Sequence, residues 1–479
     1  MKRRIITIFL LIPSFILTGC QKSSKDNNGK IEGKTILERL KKLDRVSDIE
    51  VLSAGDSFKK VYLMNFKQYI DHDNKDLGYF TQRVELGFNG FELPTAYVSE
   101  GYMLPLINNS NYATENEIAF LLGSNYLFVE HRYFGESLPI EIDYGNNSSW
   151  QYLTTAQAAA DAHEIVTEFK RILDGKWIST GISKGGMTTE LYASYYPGDM
   201  DLYLPYVAPF CNSFEDLRMI HFLDNETGNV AYGETKAAEM RQAILDFQIK
   251  MLKYRDILAP RFYQEGLSAG AVYSSYATAD NIYDASVMEF EVGFWQYYQS
   301  YNTIKSALAM KENTSAQISA KREACYQAFT SVVSASDMSI NNDFTPYYIQ
   351  AYQELGNYGY DFTKIRNNLP SGVNLSITSE EETGLMWKLI LNENQLALPK
   401  KELVYTKINN MLETTNDNFI IIYGSSDPWY AVRPNDVTDR DNISIYVNPN
   451  YPHTTTISNF PTEVKNEIMN KIKTILEIE

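Results

Sequence analysis

The sequence predicts an α/β architecture: a mostly parallel sheet covered on both faces by helices and interrupted by a long helical insertion. Three observations carry that expectation. From residue 115 onward, helical segments alternate with short, apolar strands, the pattern of a buried parallel sheet. Clear strands then stop between about residues 212 and 385 and return at Phe419. Before that gap, Ser183 stands among glycines where a strand runs into a helix. At 479 residues the chain is about twice the length one compact core holds, so a large domain carrying an insertion is expected.

At the N-terminus, Lys2, Arg3 and Arg4 precede an apolar run from Ile5 to Leu17, which closes in Leu17-Thr18-Gly19-Cys20. A basic start, a short apolar core and small residues before a cut are what secretory signals require. The run is too short for an ordinary membrane-spanning helix. A Cys directly after Leu-Thr-Gly resembles the bacterial lipobox. That implies a signal peptide over 1–19 and an acylated Cys20 that anchors the protein to a membrane of the cell envelope. The alternative is a plain signal with an incidental Cys. Residues 20–34 are polar and read as a tether.

The core opens at residue 35. Ile36, Leu37, Leu40, Leu43 and Val46 recur at helical spacing. Alternation over Tyr79–Leu86, then Asn89-Gly90 and Thr95–Val98, reads as two strands around a tight turn. A helix (Glu115–Leu122), a strand (Tyr126–Val129), an Ala-rich helix (Thr155–Leu173) and a strand (Lys176–Ser179) follow, completing the first part of the core at residue 211. Residues 212–385 read as a helical cap, with Tyr-rich connections. Residues 386–479 return to the core, with strands at Phe419–Tyr423 and Ile443–Val447 and a last helix from about Thr462 to Ile478.

The net charge of −17 argues against a nucleic-acid partner, since phosphate backbones call for Lys and Arg. No clustered His or Cys pattern suggests a metal, and no cofactor is implied. With Cys20 set aside, Cys211 and Cys325 remain, and the sequence leaves open whether they pair.

The chemistry centres on Gly181-Ile182-Ser183-Lys184-Gly185-Gly186. A serine on a tight strand-to-helix turn takes strained backbone angles, and its neighbours must be small. Its hydroxyl then projects from the sheet, while the backbone N–H of Lys184 faces a developing oxyanion at a helix N-terminus. This context predicts an α/β-hydrolase fold with a large helical cap insertion. That fold orders its triad Ser, acid, His. His453 is the histidine that follows the last strand, and Asp427 lies in the exit loop of Phe419–Tyr423. Asp436, Asp439 and Asp441 compete with Asp427 but read as solvated loop charge. A second oxyanion donor is expected from Ser99-Glu100-Gly101-Tyr102, at the N–H of Gly101 or Tyr102.

Several ordered blocks then resemble the secreted bacterial serine tripeptidyl aminopeptidases. They are Gln68 through Asp71-His72, Gly78 through Gln82-Arg83, Ser99–Tyr102, Glu130-His131-Arg132-Tyr133-Phe134-Gly135-Glu136-Ser137 and Trp177–Thr188. The lysosomal Pro-X carboxypeptidases share the Glu130–Ser137 block but carry Tyr where this chain has Lys184, so Lys184 points to the tripeptidyl branch. The resemblance spans about residue 36 to the C-terminus. It implies a capped hydrolase that cuts short peptides from free N-termini, with Ser183, Asp427 and His453 as its triad. It also implies structural roles for His72 and His131. An amino terminus calls for an anionic anchor, and Glu100 and Glu130 are candidates, unless they serve to pair with Arg83 or Arg132. Two other readings stand beside this one: a carboxylesterase or lipase on the same machinery, and a non-catalytic envelope lipoprotein that binds peptide or glycan.

Overall fold

The computed structural model describes residues 29–104, 116–297, 301–434 and 438–479; the signal segment and Cys20 lie outside the described residues. Nine strands form one sheet: β1 (Val46–Leu52), β2 (Lys60–Tyr69), β3 (Tyr79–Phe88), β4 (Thr95–Ser99), β5 (Asn125–Val129), β6 (Trp177–Ile182), β7 (Leu202–Tyr206), β8 (Phe419–Gly424) and β9 (Ile443–Asn448). Their order is β1-β2-β3-β5-β4-β6-β7-β8-β9. The first three are antiparallel, β3 meets β5 antiparallel, and every pairing from β5 to β9 is parallel.

Strand alternation explains why both faces are covered. In β8, Phe419 and Ile421 join one apolar cluster, while Ile420 and Ile422 join the cluster on the opposite face. In β5, Leu127 and Val129 likewise oppose Tyr126 and Phe128. The helices Thr155–Phe169 and Lys184–Tyr195 pack on the first face, and Thr462–Leu476 on the second. Buried alanines (Ala158, Ala159, Ala160 and Ala162) let the first of these helices approach its neighbours closely.

Two local expectations fail. The helix expected to reach Val46 ends at Leu40, and Val46 instead pairs with Phe66 as the start of β1. The strands around Asn89-Gly90 do not pair with each other, because β5 inserts between β3 and β4. Asn125 organises the connection: its amide donates to Gly90 O at 2.8 Å, and its side-chain oxygen accepts the N–H groups of Asn89 and Gly90 at 2.8 and 3.1 Å.

Between β7 and β8 the chain is helical, from Arg218–Asn225 to Val404–Thr414. The last of these helices packs on Lys184–Tyr195, with the Lys407 ammonium 4.1 Å from the centre of the Tyr195 ring. Glu354, in a π-helical turn (Ala351–Leu355), ties the insertion to the sheet layer by accepting the Thr155 N–H at 2.7 Å. Cys211 and Cys325 are both buried and free. Among the described residues, no helix is long and apolar enough to cross a membrane.

Candidate active site

Ser183 ends β6 and caps the helix Lys184–Tyr195 with φ 58° and ψ −119°, a conformation that a non-glycine residue holds only where its surroundings impose it. The surroundings are glycines and backbone. A Cβ on Gly181 would lie 2.4 Å from Gly185 O, and one on Gly185 would lie 2.2 Å from Ser99 O. The Ser183 N–H donates to Tyr206 O at 2.9 Å, pinning the turn to β7.

The acid and base come from the ends of β8 and β9. A Cβ on Gly424 would meet Pro452 O at 2.3 Å, so a glycine here lets the His453 loop run along the end of β8. Asp427 is fully buried and its two oxygens are committed: Oδ1 accepts the Trp429 N–H at 2.9 Å, and Oδ2 is 2.8 Å from His453 Nδ1. That bond leaves Nε2 of His453 as the free edge of the ring. Ser183 and His453 line one cavity of about 860 Å³, with Asp427 behind the ring. The Ser183 hydroxyl makes no hydrogen bond of its own among the described residues. Asp439 and Asp441 are exposed.

The loop after β4 lies directly on this turn. Gly101 has φ 81°, and a Cβ there would sit 2.8 Å from Gly185 N and 2.9 Å from Lys184 C. The buried Lys184 ammonium donates to Gly101 O at 2.6 Å. In a trans peptide the C=O and N–H point oppositely, so this grip turns the Tyr102 N–H away from the Lys184 side-chain ammonium. Tyr102 is held from the other side by its carbonyl, which accepts the His131 N–H at 2.9 Å, and its ring meets Phe134 edge-on. Burial pushes the Lys184 ammonium down to about 7, against the opposing pull of Glu100.

The two proposed anchors part company. Glu100 lines the cavity, and burial pushes its carboxyl up to about 8. Glu130 does not reach it. Glu130 is fully buried, accepting the N–H groups of Leu104 (3.0 Å) and Glu136 (3.1 Å) and the Ser137 hydroxyl (2.7 Å). Its role is to knit the Glu130–Ser137 turn to the loop after β4. Arg132 instead grips Asp161 with two bonds of 2.6 Å, and His72 joins the same carboxylate at 2.7 Å. Burial holds the His131 imidazole neutral, well below its usual range, and Nδ1 contacts Arg132 O. His72 and His131 therefore hold structure together.

The sequence did not reveal the cavity's aromatic wall. Tyr297, Phe344, Tyr347, Tyr348 and Tyr358 come from the insertion, and Trp429 from the loop after β8. Tyr-rich connections were the visible trace, but no periodicity says which tyrosines converge. Among the described residues, no group of three or more His, Cys, Asp or Glu side chains is arranged to hold a metal ion.

The model of the PS-10 peptidase S37 family matches residues 32–474. The chain belongs to the PS-10 peptidase S37 family. Among curated relatives, a prolyl tri/tetrapeptidyl aminopeptidase of Streptomyces mobaraensis is 26% identical over 371 residues, covering 77% of this chain and 69% of that protein. The human lysosomal Pro-X carboxypeptidase is 31% identical over 174 residues, covering 33% of this chain and 34% of its own. Among solved structures, a Mycobacterium smegmatis proline iminopeptidase aligns over 90% of this S37 chain and 99% of its own, with 12% identity and a TM-score of 0.35. An α/β hydrolase from a deep-sea metagenome, MGS-M2, aligns over 83% and 95%, with 11% identity and a TM-score of 0.33.

Proposed function

We propose that this S37 peptidase is a serine aminopeptidase that releases short peptides, tripeptides foremost, from free N-termini. The observation that carries the reading is the buried Asp427–His453 pair beside a cavity that Ser183 also lines. Asp427 holds the imidazole with Nδ1 protonated, so that Nε2 can accept a proton. In the first step, His453 Nε2 takes the Ser183 proton while Oγ bonds to the scissile carbonyl carbon. The carbonyl π pair moves onto oxygen, and the Lys184 and Tyr102 N–H groups receive that charge. His453 then returns the proton to the leaving amine nitrogen as the C–N bond breaks. Water, deprotonated by His453 Nε2, next bonds to the acyl-enzyme carbonyl carbon, and His453 returns that proton to Ser183 Oγ as the acyl C–O bond breaks.

The relative's tri/tetrapeptidyl name supports a cut a few residues from the chain end. The aromatic wall gives a prolyl ring, or another apolar side chain, a flat surface to pack on. Residues 1–20 support lipid anchoring at Cys20, which would place the catalytic domain at the cell envelope.

The test is hydrolysis of a free-amine tetrapeptide amide, its N-acetylated twin and a short-chain ester. Release of an N-terminal tripeptide from the free-amine peptide, abolished by Ser183→Ala, is expected. Turnover of the ester alone would make the protein an esterase, and turnover of nothing would make it a binding lipoprotein.

A further inference from the structure

Beside the catalytic cavity lies a second chamber of about 260 Å³ inside the helical insertion. Both are lined by Gln296, Tyr297, Phe344, Tyr348 and Tyr358, so the two adjoin across these side chains. One helix, Ala279–Gln296, supplies the chamber's polar floor. Ser286, Glu289, Gly293 and Gln296 recur at spacings of three and four, which places them on a single face.

Among the described residues, Glu289 stands in the chamber without a cationic or imidazole partner, unlike Asp284 with Arg255, Asp216 with Arg218, Asp161 with Arg132 and Asp427 with His453. Its side-chain partners are hydroxyls. Tyr358 donates to Oε2 at 2.6 Å and Tyr360 donates to Oε1. Among the described residues, no Lys, Arg or His lines the chamber, and a second carboxylate, Asp337, stands at its solvent-facing rim. Burial, with Asp337 adding to it, pushes Glu289 up to about 7 against the help of both tyrosines. A second observation is independent of the carboxylates. The Ser286 hydroxyl lines the same chamber, is 1% exposed and has no hydrogen-bond partner. A buried hydroxyl without a partner and a carboxylate without a counter-charge, on one helix face, can both accept hydrogen bonds.

Glu100, by contrast, already feels the charge of the Lys184 ammonium, and both residues line the catalytic cavity. A peptide ammonium arriving there would compete with a resident cation.

We propose that the chamber floored by Glu289 and Ser286 binds the α-ammonium of the substrate, with Glu289 as its counter-charge. The inference rests on the aminopeptidase reading and adds a ruler to it. An anchor beyond the shared aromatic ring holds the chain end away from Ser183, so the cut falls several residues in rather than after the first.

Calorimetry on the Ser183→Ala protein tests this with Ala-Ala-Pro-Ala-amide, its N-acetylated form, and an N-acetylated Lys-Ala-Pro-Ala-amide. The free-amine peptide is expected to bind about tenfold or more tighter than the acetylated one, the strength of a charge-assisted hydrogen bond. Adding Glu289→Gln, which keeps the shape, is expected to shrink that ratio below about threefold. In the active enzyme, Glu289→Gln should raise KM for the free-amine peptide about tenfold while kcat changes little, and thermal melting should show the variant folded. A ratio that survives Glu289→Gln, or that vanishes with Glu100→Gln instead, overturns the assignment. Equal binding of the acetylated lysine peptide overturns the chain-end reading, because a side-chain ammonium would then suffice. If the enzyme cuts only esters, the aminopeptidase reading fails, yet the binding ratio still decides the ammonium site: present and Glu289-dependent upholds it, absent overturns it.

Discussion

Single residues carry most of the chemistry, and Lys184 carries more than its place after the serine suggests. Its backbone N–H opens the helix behind Ser183, and its side chain grips the carbonyl of the peptide bond that ends in the Tyr102 N–H. One residue thus touches both oxyanion donors proposed above. Replacing it with methionine preserves length and removes the grip. Lys184→Met is expected to lower kcat on the peptide substrate about 10- to 100-fold with KM little changed, since one oxyanion donor is worth about 10²–10³. Steady-state kinetics separates the two parameters.

Glu190 makes a different prediction. It sits on the same helix, fully buried, with both oxygens unpartnered, and burial pushes it up to about 8. The folded protein therefore keeps a proton that the unfolded chain releases near pH 4.5, so this group's contribution to stability falls as pH rises from about 4.5 to 8. Glu190→Gln removes that dependence. Thermal melts should show variant and parent within about 1 kcal/mol at pH 5, and the variant more stable by about 4 kcal/mol at pH 8.

At the scale of elements, the site depends on glycines that let separate loops touch. Gly424 is the clearest case, because only a missing side chain allows the His453 loop to lie on the end of β8. Gly424→Ala should displace the histidine and lower kcat by about 10² or more, as small misplacements of catalytic groups do. Circular dichroism should remain native. Unfolding of the variant would show instead that the contact serves stability.

This scale also marks where the sequence is legible. The strand–Gly-x-Ser-x-Gly–helix turn, the acid after β8 and the histidine after β9 are local patterns, and the structure brings Asp427 to His453 and His453 to the cavity that Ser183 lines. The two strands expected around a tight turn at Asn89-Gly90 are present but do not pair, for a physical reason. A turn signal reports that the chain reverses, not that no later strand enters between its arms, and β5 enters there. Glu130 was misread similarly. Its loop lies near the site, but its side chain is spent on two N–H groups and a hydroxyl, which no spacing rule reveals.

For the whole molecule, the insertion does two things: it closes the cavity with aromatic residues, and it adds the Glu289 chamber. Neither was legible, since both depend on which residues of distant helices converge. The other whole-molecule claim is the anchor. Cys20→Ser is expected to abolish incorporation of labelled fatty acid and to release the protein from membranes; continued labelling would rule out Cys20 as the acylated residue.

The central claim is that Ser183 is acylated by the N-terminal portion of a peptide. The direct measurement is rapid-quench intact-mass spectrometry with a free-amine tripeptidyl p-nitrophenyl ester, followed by peptide mapping. The account predicts a transient adduct of one tripeptidyl group on Ser183, decaying as product appears, and no adduct in His453→Ala. Product formation with an adduct on another residue, or with none at any time point while Ser183→Ala still turns over, would contradict it.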